Sequence, residues 1–195
     1  MKMMKRIKVV FGLFLITILV CACSENKPSA AELQPPSEEL MQKKSDFFNL
    51  KSSAFTNMAI IPEIYTCDGM DISPPLNWDI PPSSSQSLVL IMDDPDAPVG
   101  TWDHWILFNL PTEMTDLPED ITQLPPGAKY GSNSWRKNKY GGPCPPGTAS
   151  HRYYFKIYAL DIKLDIVEGS KKSDIEKAMN GHILAYSELI GIYRP

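Results

Sequence analysis

The chain holds three histidines, His104, His151 and His182, and the first two each stand at the start of an apolar run just after a loop. Asp94, with Asp96 two residues on, ends the run Ser87–Met92. Trp102 and His104 lie two apart before Trp105–Leu110, and His151 and Tyr153 lie two apart at the head of a third run. Residues two apart on a strand share a face. If these strand ends meet, two carboxylates, two imidazoles, a phenol and an indole line one small cavity. It would lie beside the proline and glycine rim of 140–147, which contains Gly142 and Pro143. Imidazoles, a phenolic hydroxyl and unpaired backbone N–H groups of a glycine-rich loop are donors suited to a phosphate or a carboxylate. Taken singly, each piece has a plainer reading. A histidine at a strand start is more often a hydrogen-bonded core residue, Asp94-Pro95-Asp96 reads as a turn, and Trp102 and Tyr153 read as packing residues. The weight comes from one rare residue type recurring beside special backbone at two distant points.

Two other chemistries draw on the same groups. A hydrolase would use Asp94, His104 or His151 as base and Ser150 as nucleophile. No G-x-S-x-G elbow occurs, however, and neighbours on a strand point to opposite faces, so His151 is poorly placed to activate Ser150. A metal site of Asp94, His104 and His151 would follow two-histidine, one-carboxylate logic. Binding of a small anion without turnover is the leading reading; it needs no cofactor and no metal.

The elements that must position these groups read mainly as strands. Eighteen prolines against 11 glycines leave little room for long helices. Ser87–Met92 is a continuous apolar run of strand length, which suits a central strand covered on both faces. Arg152–Leu160 alternates, with Tyr153, Phe155, Ile157 and Ala159 on the buried face. The loops between runs are dense in breakers, as at 80–85, 124–127 and 140–147. One helix is predicted after Ser173, where Ser173 and Glu176 form a capping box and Asn180-Gly181 supplies the stop. Ile183–Ile190 fits a strand as well as a helix. The expected architecture is a β-sandwich with one or two helices at its C-terminal edge.

The composition, 43% apolar, 22% charged and 10% aromatic, is that of a folded domain. The first 22 residues carry four basic residues and no acid, so the remaining 173 residues bear a net charge of -8, which argues against nonspecific nucleic-acid binding. Residues 1–22 have the layout of a secretory signal, with a basic start and an uncharged run Val9–Val20. Val9–Cys23 would be about 22 Å long as a helix, short of a hydrocarbon core of about 30 Å. Ala22-Cys23 fits the processing site of a bacterial lipoprotein, with Cys23 acylated and anchored to a membrane; Val20 departs mildly from the commonest pattern. Residues 23–45 then read as a lipidated tether reaching roughly 26 Å as a coil, with a short helix conceivable at 37–44. Residues 46–195 read as one domain without internal repeats.

The segments Asp94-Pro95-Asp96-Ala97-Pro98 with Trp102-Asp103-His104-Trp105, and Gly142-Pro143-Cys144-Pro145-Pro146-Gly147 with His151-Arg152-Tyr153, resemble the two signature regions of the phosphatidylethanolamine-binding protein family, also called the Raf kinase inhibitor protein family. Tyr65-Thr66-Cys67-Asp68-Gly69, Ser73-Pro74-Pro75-Leu76 and Gly181-His182-Ile183-Leu184-Ala185 resemble its bacterial and archaeal branch, and the likeness runs from about Phe55 to Tyr193. The resemblance implies a Greek-key β-sandwich with a small pocket for phosphate, acetate or phosphorylated head groups. By position it implies Asp94, Trp102, His104, His151 and Tyr153 as pocket residues, with Asp96 supporting the loop. The implied partner is a phosphate-bearing or carboxylate small ligand, a lipid head group included. Relatives are described as inhibitors of kinases and proteases; kinase inhibition does not suit an exported domain, since kinases and ATP are mainly inside the cell. Anchor and tether have no counterpart in the family's typical soluble members.

Once Cys21 is removed and Cys23 lipidated, Cys67 and Cys144 are the remaining cysteines. Export would favour a disulfide between them. The resemblance implies the same two cysteines in relatives that are not exported, so two unpaired thiols stand as the alternative. A Cα separation beyond about 7 Å would forbid the bridge.

Overall fold

The structure, a computed structural model, describes Phe48–Pro195; the signal, Cys23, the tether and the short helix considered at 37–44 lie outside the described residues. In chain order the elements are β1 (Leu50–Lys51), β2 (Ala59–Ile60), a 3-10 turn (Glu63–Tyr65), β3 (Leu76–Trp78), β4 (Ser87–Asp94), β5 (Trp102–Leu110), β6 (Asp116–Leu117), β7 (Lys129–Tyr130), β8 (His151–Leu160), α1 (Lys172–Met179) and β9 (Ile183–Tyr193). Six strands form one sheet in the order β2-β9-β8-β4-β5-β7, and β1-β3-β6 form a smaller one. Among the described strands, only β2 and β9 pair in parallel. The long connection 111–150 returns the chain beside β4 rather than β5. This is the nonlocal step of a Greek-key sandwich.

The run Ser87–Met92 is apolar throughout because β4 is covered on both sides. Leu88, Leu90 and Met92 face a core shared with Leu76, Trp78 and Leu117 of the small sheet, while Val89 and Ile91 face a second core with Ile175 and Met179 of α1. The alternation of β8 has the expected outcome, with Tyr153, Phe155, Ile157 and Ala159 fully buried. The ambiguous run after residue 183 is a strand, because β9 pairs with β8 from His151 to Leu160. Among the described residues there is one α-helix, and none is long and apolar enough to cross a membrane.

Two details depart from the local signals. The helix begins at Lys172, one residue before the expected cap, and Ser173 falls inside its first turn with no side-chain cap formed. Two constraints decide the start. The backbone before the helix is held by Ser132, which bridges Lys171 and donates its N–H to Ser170 O at 2.9 Å. The Lys172 ammonium is drawn to Asp93 and Asp103, at 2.6 and 3.0 Å. The second departure is in β5, where Met92 pairs with Trp105 but Asp93 pairs with Asp103. His104 is therefore the extra residue of a β-bulge, a distortion that turns a side chain out of the regular alternation.

Candidate functional site

Three strands end together, and the site is built from those ends. Asp94, the last residue of β4, pairs with Trp102, the first of β5, and His151 is the first residue of β8. His151 donates its Nδ1–H to Asp94 Oδ2 at 2.7 Å, and Asp94 Oδ1 accepts the Asp96 N–H at 2.8 Å. Both oxygens of this buried carboxylate are thus occupied within the protein. His104 donates its Nδ1–H to Gly141 O at 2.8 Å and to Gly142 O at 3.1 Å. Those carbonyls can only accept, so they fix the proton of the neutral ring on Nδ1 and leave Nε2 as an acceptor. Burial holds the His104 imidazole below its ordinary range, opposed by those carbonyls and by the charges of Asp94 and Asp103.

Tyr153 stands edge-on to His104 with ring centroids 5.2 Å apart. Its hydroxyl is buried and has no hydrogen-bond partner of good geometry, although Asp94 and the Cys144 backbone are close enough to influence it. Desolvation and the nearby carboxylates push its ionisation far above the ordinary phenol range. It is therefore a neutral donor. Trp135 closes the group, edge-on to His104 at 5.0 Å and to Trp102 at 5.4 Å.

Of the residues singled out by sequence, Asp94, Trp102, His104, His151 and Tyr153 lie at this one end of the large sheet. Asp96 turns away from it. Its carboxylate accepts two bonds from the Arg152 guanidinium, at 2.8 and 2.7 Å, and a third from the Arg152 N–H at 2.9 Å. This fork holds the Asp96 carboxyl down to about 2, the Arg152 side-chain bonds being the main cause. The stability it confers is present above the unfolded carboxylate range, about pH 4, and is lost as pH falls through about 2. Asp96→Asn should therefore unfold at the same temperature as the parent only about one pH unit below that value, with the two separating above about pH 4; equal melting at both extremes would remove this role.

Gly142 and Pro143 contribute backbone, in a way the sequence reading had not anticipated. The glycine amides are not free donors: Gly141 N–H reaches His104 O at 3.1 Å, and Gly142 N–H reaches Asp71 Oδ1 at 2.6 Å. What the loop offers is its carbonyls, which hold His104, and Pro143 O, which accepts the Cys67 N–H at 3.1 Å. A Cβ at Gly142 would sit 2.4 Å from Tyr65 O, so no side chain fits there. Cys67 and Cys144 are bonded, with Cα atoms 5.4 Å apart, which joins the same two loops.

Sequence reasoning missed three groups. Trp135 and Asn133 sit in a loop with no periodic signal. Asn133 Oδ1 accepts the N–H groups of Trp135 and Lys137 at 3.1 and 3.0 Å, and its Nδ2 donates to Lys139 O at 3.1 Å, so one buried amide shapes that whole loop. On the other face of β4 from Asp94, Asp93 accepts from Lys156 at 2.8 Å and Lys172 at 2.6 Å, and Lys172 also reaches Asp103. The run Asp93-Asp94 was the available signal, since adjacent carboxylates on a central strand must face opposite sides and each needs a partner.

Ser150 is exposed while His151 beside it is buried. Among the described residues, no group of three or more His, Cys, Asp or Glu side chains is placed to hold a metal ion.

Comparison with known proteins identifies the family and the fold. The UPF0098 protein of Methanothermobacter thermautotrophicus is 49% identical over 149 residues, which is 75% of this chain and 98% of that one. The crystal structure of a phosphatidylethanolamine-binding protein homologue from Chlamydia trachomatis superposes with a TM-score of 0.73 at 42% identity, covering 77% of this chain and 99% of that one. E. coli YbcL, a new member of the mammalian PEBP family, superposes with a TM-score of 0.72 at 30% identity, covering 76% and 99%. The profile of the phosphatidylethanolamine-binding protein family matches residues 51–194, and the chain belongs to that family.

Proposed function

We propose that the pocket of Asp94, Trp102, His104, His151 and Tyr153 takes a small anion or a phosphorylated group, and that the domain works at a membrane surface through lipid on Cys23. The single observation that carries the anion reading is the buried Tyr153 hydroxyl with no partner of good geometry, beside two histidines. Buried polar groups are nearly always hydrogen-bonded, and an exception in a pocket points to a ligand that supplies the acceptor. His151 and the Asp96 amide engage the oxygens of Asp94; its charge remains, and the histidine and phenol donors must outweigh it. Regulation by occupancy is the use that such a site suits.

The test is calorimetric titration of the full chain in detergent with inorganic phosphate. Tyr153→Phe should weaken phosphate by about fivefold while raising the unfolding free energy by about 1 kcal/mol, since it removes a buried group that lacks a partner. Wild-type affinity in this variant would overturn the reading.

Affinity should also depend on pH. Nε2 of His104 donates only when the ring is protonated, and a bound anion favours that form. Binding then takes up a proton, and the dissociation constant rises by up to tenfold per pH unit above the free-protein value. Binding independent of pH, with no proton uptake in two buffers of different ionisation enthalpy, would assign the affinity to neutral donors instead. For the anchor, the intact mass of the membrane fraction should start at Cys23 and carry acyl mass. A mature chain beginning elsewhere, or lacking that mass, would refute it.

A further inference from the structure

We propose that the histidine pocket continues into a second, cationic subsite, so that the ligand is a small molecule carrying two anionic groups. This rests on reading the histidine pocket as an anion site. A cavity of about 170 Å³ opens beside Gly141 and Gly142, the residues whose carbonyls hold His104. At roughly 30 Å³ per water it has room for a phosphate-sized group. Lys137 and Lys139 line it, both exposed, and among the described residues neither ammonium has an ion-pair partner. The one carboxylate on its wall, Asp71, has Oδ1 engaged by the Gly142 N–H.

Three further observations point to a ligand shared with the histidines. Trp135 belongs to both places: it stands edge-on to His104 and Trp102, and it lies against Gly141, where a Cβ would come within 2.8 Å of its ring. With 39% of its surface exposed, it offers a flat apolar wall for the carbon atoms between two charged groups. The backbone that carries the two lysines is held in place, because the buried Asn133 amide bonds the Lys137 N–H and the Lys139 carbonyl. Finally, Arg136, Lys137 and Lys139 put three cations within four positions of a chain that is acidic overall. Such a local reversal of sign draws anions to this rim.

The experiment compares propyl phosphate with propane-1,3-diyl bisphosphate, titrated into the full chain in detergent at low salt. The bisphosphate should bind about fivefold to tenfold more tightly, the gain expected when a second anion meets partly exposed cations. The double variant Lys137→Ala, Lys139→Ala should lose that gain and keep the affinity for propyl phosphate. Equal affinities for the two compounds in the wild type, or a gain that survives in the double variant, would overturn the proposal. A bisphosphate that binds the lysine-free variant normally but fails on Tyr153→Phe would also overturn it while leaving the histidine pocket intact. The reverse pattern, binding lost with the lysines and indifferent to Tyr153→Phe, would keep the cationic subsite and remove the histidine reading. If neither compound binds the wild type, both readings fall.

Discussion

Reduction of the Cys67–Cys144 bond is expected to lower the unfolding free energy of the domain by about 4 kcal/mol, the chain-entropy value for a loop of this size. The bond spans 77 positions, and within that span lie β3, β4, β5, β6 and β7. Cutting it releases a large loop in the unfolded chain, which is where most of the effect arises. Both cysteines are exposed, so a reductant reaches the bond without unfolding the protein. Urea unfolding of the full chain with and without dithiothreitol, and of the Cys67→Ser, Cys144→Ser variant, measures the difference. A midpoint that does not move would mean that the bridge is absent in solution or contributes nothing. The site itself should persist in the reduced, folded protein. The same loops are also joined by Cys67 N–H to Pro143 O, Gly142 N–H to Asp71, and the Tyr140 hydroxyl to Tyr65 O at 2.7 Å. Phosphate affinity within about twofold of the oxidised protein is therefore the expected companion result, since those bonds are unchanged.

Asp93→Ala should cost about 3 kcal/mol, the usual effect of removing one partner from a buried ion pair. The Asp93 side chain is 1% exposed and holds two ammonium groups, of Lys156 and Lys172, whose side chains are 23% and 16% exposed. Without it, Lys156 of β8 and Lys172 of α1 are left together, with Asp103 and Glu176 near Lys172. The consequence reaches the proposed site because Asp93 stands next to Asp94 on β4, on the opposite face of the strand. Asp93 pairs with Asp103 across the bulge that turns His104, and Lys172 bridges the two carboxylates. Loss of Asp93 is thus expected to loosen His104 as well as the fold. A variant that melts with the parent would show that the network is neutral. Asp93→Asn, which keeps the shape, should fall between the two and separate charge from packing.

The strands were legible in the sequence because their signals are local. Alternation in Arg152–Leu160 and unbroken apolarity in Ser87–Met92 report directly which faces meet other atoms, and burial follows the side chain wherever the strand is placed. The family motifs carried the list of candidate residues for the same reason, since they are short, contiguous strings. The helix start was misread because a capping box is a weak local preference, and Lys172 is held by carboxylates on β4 and β5, far away in sequence. The supposed free amides of the glycine loop were misread likewise, because Asp71 and His104 take them up from distant segments.

By itself, the sequence determined the two-sided core around Ser87–Met92, the buried face of Arg152–Leu160, the proline-dense loops, and the presence of two histidines and two carboxylates at strand ends. Tertiary structure alone decided what those groups can do. It made His104 the extra residue of a bulge, fixed its proton on Nδ1 through the Gly141 and Gly142 carbonyls, and matched Asp94 to His151 and Asp96 to Arg152. It also left the Tyr153 hydroxyl without a partner of good geometry and brought Trp135 edge-on to His104. The physical reason is the range over which each choice is made. Hydrophobic burial is nondirectional and sums over a strand's own residues, whereas a hydrogen bond is won by whichever distant group arrives at about 3 Å with the right angle.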